Sequence, residues 1–304
     1  MKIIDAHVHI CDVLAGYCRR GELRAIGGGR AMWANGDVMH LIPEGYGDSN
    51  YTAESAIRMM DENGVEAGVI MQGSMYGFQN NYIKGVLKKY PDRFRGSCTV
   101  DPFAKNHLEM LEEMMAWTRL VKFEVSNGGG LMGVHEDFAL DGPRMLPIYE
   151  IINAHKGVVT IDFGDYTMAS YQPLAMRRVA QKFPDLTIVL CHLLAPIPGH
   201  YDETRIGLEA LKLPNVWFDI AALPKIVAVE KFPFPSCAES LKMAKEIVGP
   251  DRLMFGTDMP FALTHSSYHD LKQYIIDSKV FTEDELHKVF YETAKHLYFA
   301  KEFV

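Results

Sequence analysis

Two histidines separated by one residue, His7 and His9, follow an apolar run at the start of the chain. Side chains at positions i and i+2 of a β-strand point to the same face, so we expect the two imidazoles to lie side by side. Neighbouring imidazoles on a rigid strand can bind one divalent metal ion, and imidazole suits zinc, iron, nickel or copper. Taken alone, the pair is more typical of two surface histidines than of a metal site, so the rest of the sequence must decide.

Eight short runs rich in Val, Ile and Phe predict β-strands, and helix-like stretches separate most of them. Uninterrupted apolar runs such as Ile188-Val189-Leu190 are typical of parallel strands that are covered on both faces. This alternation predicts an α/β fold, a parallel (β/α)8 TIM barrel in one domain over residues 1–304. A doubly wound open sheet is the alternative, but it would usually have a glycine-rich turn where this chain has His-Val-His. The predicted strands are residues 2–9, 67–72, 94–100, 120–125, 158–163, 187–192, 216–220 and 252–257.

Helix signals fall between the predicted strands and again at the end of the chain. Thr52 is a predicted N-cap of a helix that Asn63-Gly64 ends. Thr282, followed by acidic residues in the first turn, predicts the start of two closing helices over residues 282–303. The remaining predicted helices are residues 80–89, 105–118, 142–155, 168–182, 202–211 and 236–248.

The stretch between the first strand and the first helix, residues 11–50, predicts a long loop without regular structure. A connection of this length is usually functional and often covers an active site. It contains Gly27-Gly28-Gly29-Arg30, which lacks the Gly-Lys-Ser/Thr ending of a phosphate-binding loop. We therefore interpret the glycines as a flexible turn.

Metal-binding and titratable side chains are concentrated at the ends of the predicted strands. In a parallel barrel the active site lies at the carboxyl ends of the strands. Each residue has a plain structural explanation on its own, such as a helix cap for Asp258 or a satisfied core histidine for His192. Their joint placement indicates an active site, which comprises His7, His9, Lys122, Glu124, Asp162, His192 and Asp258.

The composition excludes several classes of function. The chain has 31 Lys and Arg against 39 Asp and Glu, a formal charge of −8, which argues against binding nucleic acid. No stretch approaches the roughly 20 apolar residues of a membrane span, and the start lacks the pattern of a signal peptide. Five scattered cysteines fit reduced thiols. We expect a cytoplasmic protein that acts on a small molecule, and the sequence leaves a homo-oligomer open.

Five motifs together resemble one known family over nearly the whole chain. They are Ile-Asp-Ala-His-Val-His (4–9), Lys-Lys-Tyr-Pro-Asp-Arg-Phe-Arg-Gly (88–96) leading to Val-Asp-Pro (100–102), Thr-Ile-Val-Leu-Cys-His (187–192), Asp-Arg-Leu-Met-Phe-Gly-Thr-Asp-Met-Pro (251–260) and Thr-Ala-Lys-His-Leu-Tyr (293–298). The combination resembles the amidohydrolase superfamily, and within it the amidohydrolase-2 branch. That branch contains decarboxylases of unsaturated and aromatic acids as well as lactonases.

The resemblance implies a role for each matching residue. His7 and His9 would be metal ligands, Asp258 a ligand and proton carrier, and His192 would help to polarise the substrate. In the branch, the fifth strand commonly ends in a histidine ligand, whereas this chain has Asp162. A carboxylate can replace that ligand, and zinc, with manganese or iron as alternatives, is the expected single divalent ion. The same departure leaves open that metal binding has been weakened or lost.

The resemblance implies a metal-dependent hydrolase that uses metal-activated water on a small lactone, ester or amide that carries a carboxylate. Arg30, Lys122 and His265 are candidate anion binders, and Glu124 is a further candidate for binding the substrate. The alternative is non-oxidative decarboxylation of an unsaturated or aromatic acid on the same site. A binding protein without activity, suggested by Asp162, is the third hypothesis. Lys122 falls near the place of a carbamylated lysine in other superfamily members, but the pattern here resembles a mononuclear site.

Overall fold

All eight predicted strands form in the computed structural model, which describes residues 1–226 and 230–300. Five of them make one parallel sheet, in the order β12-β11-β10-β9-β8, and three make another, in the order β1-β6-β7. The bounds are β1 (Ile4–Val8), β6 (Ala67–Ile70), β7 (Phe94–Gly96), β8 (Leu120–Glu124), β9 (Val158–Asp162), β10 (Thr187–Leu190), β11 (Val216–Asp219) and β12 (Leu253–Met254).

Backbone hydrogen bonds join the two sheets at both edges. Between β7 and β8, Cys98 donates to Leu120 O (2.8 Å) and accepts from Lys122 N (2.9 Å). Between β12 and β1, Ala6 donates to Phe255 O (2.9 Å), and Asp258 donates to His7 O (2.8 Å). The eight strands therefore close into the predicted TIM barrel, in which no sheet edge is left open.

The helices on the outside of the barrel follow the predicted alternation. They are α1 (Ala53–Glu62), α2 (Asn80–Lys89), α3 (His107–Met114), α4 (Leu146–Ala154), α5 (Pro173–Lys182), α6 (Tyr201–Ala210), α7 (Leu223–Ile226), α8 (Pro235–Val248), α9 (Tyr268–Asp277), α10 (Glu283–His287) and α11 (Thr293–Tyr298). The Thr52 hydroxyl accepts from Ser55 N, which confirms that cap. Neither the short helix α7 nor α9 was predicted from the sequence. None of the helices in the part of the chain that the structure describes is long and apolar enough to cross a membrane.

The two predicted closing helices begin at Thr282, as expected, and a wider helical turn at Lys288–Glu292 joins them. Thr282 and Glu285 form a capping box, in which each side chain accepts a hydrogen bond from the other residue's backbone N–H. Leu297 and Tyr298 of α11 share a buried cluster with Ile4 and other residues at the starts of the strands. The closing helix therefore covers the amino ends of the strands and leaves the carboxyl ends for a site. The predicted end of this region, at residue 303, lies outside the described residues.

Residues 11–50 contain more regular structure than the predicted loop. They form a four-stranded antiparallel sheet of β2 (Ala15–Cys18), β3 (Gly21–Gly27), β4 (Arg30–Trp33) and β5 (Val38–His40). Gly28 and Gly29, with φ of 64° and 68°, make the turn between β3 and β4. A tight hairpin turn that matches strand twist needs positive φ at both central residues, which glycine adopts without strain. The strands are short, and their exposed face carries the apolar side chains Tyr17, Ile26, Met32 and Val38, so the alternation of polar and apolar residues is weak in the sequence.

Candidate metal centre and active site

The imidazoles of His7 and His9 meet at the carboxyl end of β1, beside a carboxylate from the end of β12. The two Nε2 atoms lie 3.2 Å apart. Oδ1 of Asp258 is 2.9 Å from Nε2 of His9 and 3.7 Å from Nε2 of His7. All three residues are buried. Three atoms that carry lone pairs thus converge on one small volume.

This donor set fits one divalent metal ion. Ligand atoms about 2.0–2.1 Å from a tetrahedral ion lie about 3.3 Å from one another, close to the separations observed here. His7 Nδ1 lies 3.0 Å from Oδ2 of Asp219, so that nitrogen carries the proton and Nε2 keeps its lone pair for the metal. Burial lowers the pKa of His9 to about 4 against the opposing effect of Asp258, which keeps this imidazole neutral, as a ligand must be.

Asp258 occupies a left-handed backbone conformation, with φ of 65°. Residues other than glycine rarely adopt such a conformation, which costs free energy and is found most often at functional sites. Here the hydrogen bond from Asp258 N to His7 O holds the turn. Burial opposes ionisation, but contact with His9 and the charge of His192 lower the pKa of Asp258 below its usual value. The carboxylate is therefore ionised.

His192 begins four consecutive residues in the left-handed region, directly after β10. Their φ values are 56°, 52°, 63° and 48° for His192, Leu193, Leu194 and Ala195. A run of this kind is costly for residues with a Cβ. Oδ1 of Asp219 accepts a hydrogen bond from His192 N (2.9 Å), which anchors the start of the run. The ring of His192 is thereby brought to 4.8 Å from the ring of His7, centroid to centroid.

The nitrogens of His192 have different partners. Nδ1 donates to Ala221 O at 3.0 Å, whereas Nε2 lies 3.5 Å from Oδ2 of Asp162. Burial disfavours the charged imidazole, but Asp162, with Asp219 and Asp258, raises the pKa of His192 to about 10. The side chain is therefore a cation at neutral pH. At 3.5 Å its bond to Asp162 is long, so the Nε2 proton can be donated to a ligand.

Asp162 ends β9 and stands apart from the three converging donors. Its Oδ2 atom faces His192. The ligand atoms that lie within 4.8 Å of one another belong to His7, His9 and Asp258, and Asp162 is not in this group. A second group of that kind combines His7 and His192 with Cys191. Burial raises the pKa of the Cys191 thiol well above its usual value, which disfavours the thiolate that binds metals. The role of Asp162 as a fourth ligand stays a prediction.

The four predicted substrate-binding residues fall in different places. Glu124 ends β8 at the mouth of the barrel, and burial raises the pKa of its carboxyl group above the usual value. Lys122 is 2% exposed, and its Nζ donates to Gln72 O at 3.2 Å. Arg30 is exposed at the hairpin turn, and His265 is exposed with its Nδ1 beside the Ser266 hydroxyl. The structure therefore places Glu124 and Lys122 in the barrel and leaves the other two at the surface.

Three residues around the site were missed by the sequence analysis. Asp219 ends β11 and orients both His7 and His192. Its position at a strand end was available as a signal, because the seventh strand was predicted there. Tyr76 stacks on the His9 ring at 4.6 Å between centroids. Asp5 accepts from Thr257 and, at 2.7 Å, from the Tyr268 hydroxyl. The local sequence offers no signal for these last two contacts.

A family model described as amidohydrolase matches residues 4–300, which is nearly the whole chain. Solved structures of similar fold also cover most of it. One is a probable 2-pyrone-4,6-dicarboxylic acid hydrolase from Acinetobacter baumannii with citric acid bound, at 17% identity and a TM-score of 0.71, covering 98% of this chain and 99% of that one. Another is an amidohydrolase from Burkholderia multivorans with bound zinc, at 16% identity and a TM-score of 0.74, with the same coverage.

A 5-carboxyvanillate decarboxylase from Sphingomonas paucimobilis is similar to a smaller part of the chain. The identity is 18%, the TM-score is 0.56, and the match covers 81% of this chain and 82% of that one. At such identities the likeness establishes the barrel fold, which these proteins share with this chain. It does not choose between hydrolysis and decarboxylation, since proteins of both kinds have this fold.

Proposed function

Because this chain belongs to the amidohydrolase family, we propose that it is a metal-dependent hydrolase of a small lactone, ester or amide. The observation that carries the proposal is the convergence of His7 Nε2, His9 Nε2 and Asp258 Oδ1 within 3.7 Å of one another. These atoms would hold one divalent ion, with zinc first and manganese or iron as alternatives. Such an ion supplies an activated water at neutral pH and polarises a carbonyl oxygen.

Asp258 is the proposed general base. Its ionised carboxylate lies at the convergence point, where it can accept a proton from the attacking water and later return it to the leaving group. The left-handed backbone and the hydrogen bond to His7 O restrict the carboxylate to this position. Positioned acid–base groups typically contribute about 10²–10⁴-fold to a rate.

His192 is the proposed electrophile. Its charged imidazole can donate from Nε2 to the oxygen of the substrate carbonyl, where negative charge develops during attack. Asp162 keeps the ring charged, and Ala221 O holds the other nitrogen, so the donor is oriented before the substrate arrives. A donor of this kind is worth about 10²–10³-fold in kcat.

The test combines metal analysis with a substrate panel. We expect close to one equivalent of divalent metal per chain, loss of activity after chelation, and recovery when zinc or manganese is returned. Lactones, esters, amides and unsaturated acids are followed for both acid release and carbon dioxide release. Acid release alone supports the hydrolase. Carbon dioxide release supports the decarboxylase, and full activity in protein stripped of metal contradicts the metal-dependent mechanism.

Two variants test the assigned roles. Asp258→Asn is expected to lower kcat by about 10²–10⁴-fold, and His192→Asn by about 10²–10³-fold with the metal retained. His269→Asn is the control, because His269 is an exposed histidine on α9. Unchanged activity in both site variants would show that the proposed chemistry is wrong.

A further inference from the structure

Glu124 lies at the mouth of the barrel but takes no part in the chemistry described above. It ends β8, and its register partner Asp162 ends the neighbouring strand β9. The proposed metal ligands His7, His9 and Asp258 lie at the end of β1 and after β12. Around the barrel, these positions are almost half of the circumference away from β8. A small substrate bound at His7 and His9 would extend across the mouth toward Glu124.

Two glycines hold the Glu124 carboxylate in one place. A Cβ atom at Gly129 would lie 2.6 Å from Oε1, and one at Gly73 would collide with Oε2. Neither glycine has a positive φ, so backbone conformation does not require glycine at these positions. The space that the missing side chains leave is occupied by the carboxylate. Its oxygens are therefore held between the segments that follow β6 and β8.

The carboxylate has no partner of its own. Among residues 1–226 and 230–300, no side chain or backbone group makes a hydrogen bond or a close ion pair with it. Lys122, two residues earlier on the same face of β8, donates to Gln72 O instead. Its oxygens are not among the described side-chain atoms that are buried without a partner, so they remain accessible at the mouth of the barrel. Glu124 is also partly exposed, so a ligand can reach it.

The charges around Glu124 limit which ligand group can satisfy it. Asp162 lies beside it, so a ligand carboxylate would face the negative charge of Asp162 and, above the raised pKa of Glu124, that of Glu124 as well. Lys122 already places a positive charge near these two carboxylates, so a ligand ammonium group is not needed to balance them. A neutral hydrogen-bond donor can satisfy Glu124 without adding a charge.

We propose that Glu124 is a specificity-determining residue, whose carboxylate accepts a hydrogen bond from a hydroxyl group on the substrate. The hydroxyl would lie on the side of the substrate remote from the bond that is hydrolysed. This inference deepens the proposed function, since it names a substrate class for the same site. A carboxylate on the substrate, as expected from the sequence, would have to point away from β8 and β9.

The first experiment compares substrates that differ by one hydroxyl. kcat/KM is measured for γ-butyrolactone and for its α-hydroxy and β-hydroxy derivatives, with the metal-loaded protein and with Glu124→Gln and Glu124→Leu. A hydrogen bond to a charged group is worth about 10- to 100-fold. We expect that preference for the β-hydroxy lactone, whose hydroxyl is the more remote from the hydrolysed bond. The preference should be partly retained in Glu124→Gln and lost in Glu124→Leu, mainly through KM. Equal preference in all three proteins would overturn the proposal.

A pair of glycine variants provides a matched control. Gly129→Ala is expected to displace the carboxylate and to remove the preference, whereas a Cβ at Gly128 has no atom within 4 Å. Gly128→Ala should therefore keep the preference. If both variants fold and behave alike, the position of the carboxylate does not determine specificity and the proposal fails.

A binding measurement separates this proposal from the proposed function. Calorimetry gives the dissociation constants of three lactams, pyrrolidin-2-one, 3-hydroxypyrrolidin-2-one and 4-hydroxypyrrolidin-2-one. These are measured whether or not the protein hydrolyses the lactones. A protein that hydrolyses none of the lactones can still bind a hydroxylated lactam about 10-fold or more tightly than pyrrolidin-2-one. If Glu124→Leu loses this difference, the result supports the role of Glu124 and contradicts the hydrolase. If the three lactams bind equally tightly, or if none of them binds, the proposed role of Glu124 is contradicted.

Discussion

His7 Nδ1 and Asp219 Oδ2 lie 3.0 Å apart, although 212 residues separate them in the chain. The Asp219 carboxylate also accepts from His192 N, so one buried side chain orients both histidines. Contacts with His7 and His192 outweigh burial and lower the pKa of Asp219 to about 2. Asp219 therefore stays charged at any working pH and sets which nitrogen of His7 faces the metal position.

This relationship predicts that Asp219→Asn weakens metal binding. Groups that orient a metal-bound histidine typically contribute about 10- to 100-fold to metal affinity, so a loss of that size is expected. The affinity is measured by competition with a chromogenic zinc chelator. Asp185→Asn, at an exposed aspartate, serves as the control. An unchanged affinity in Asp219→Asn would show that Asp219 does not orient a ligand.

A second prediction decides the role of Asp162. Because its oxygen faces His192, Asp162→Asn should keep the metal while kcat falls by about 10- to 100-fold, the worth of a charged hydrogen bond. Metal content by elemental analysis is compared with that of Asp258→Asn, in which a proposed ligand is changed. Loss of metal from Asp162→Asn to the same extent would instead identify it as the fourth ligand that the sequence suggests.

A third prediction concerns two buried tyrosines of α9. The Tyr268 hydroxyl donates to the buried Asp5 carboxylate at 2.7 Å, whereas the Tyr274 hydroxyl is buried without a partner among the described residues. Tyr268→Phe should therefore lower the free energy of unfolding by about 1.5–3 kcal/mol. Tyr274→Phe should change it by less than about 0.5 kcal/mol or raise it. Urea unfolding followed by circular dichroism checks both, and equal losses would contradict the assignment.

A fourth prediction tests the left-handed run after β10. Ala195 has φ of 48°, where a Cβ costs about 1–2 kcal/mol, so Ala195→Gly should be close to neutral for stability. Ala244→Gly, in the interior of α8, removes a fully buried methyl group from a helix. Ala244→Gly should therefore lower the free energy of unfolding by about 1–2 kcal/mol more than Ala195→Gly does. Thermal unfolding of the two variants gives the comparison, and an equal loss of stability would mean that the Ala195 backbone is unstrained.

The fold was predictable because its signals are local. Apolar runs, caps such as Thr282 and the period of two along a strand depend on neighbours in the chain, and they indicated eight strands and the closing helices. The same period placed His7 and His9 on one face of β1. The sheet within residues 11–50 was not predictable, since its strands are short and, within the part of the chain that the structure describes, pair with one another and with the segment after β6.

By itself, the sequence determined which residues stand at the carboxyl ends of strands and that two imidazoles are neighbours. The tertiary structure decided how these groups combine: Asp258 beside His9, Asp162 facing His192, and Asp219 between the two histidines. These pairings require the closed barrel, which brings β12 to β1, and left-handed turns at Asp258 and His192. Such turns are sustained by hydrogen bonds between distant residues, and a local pattern carries no information about them.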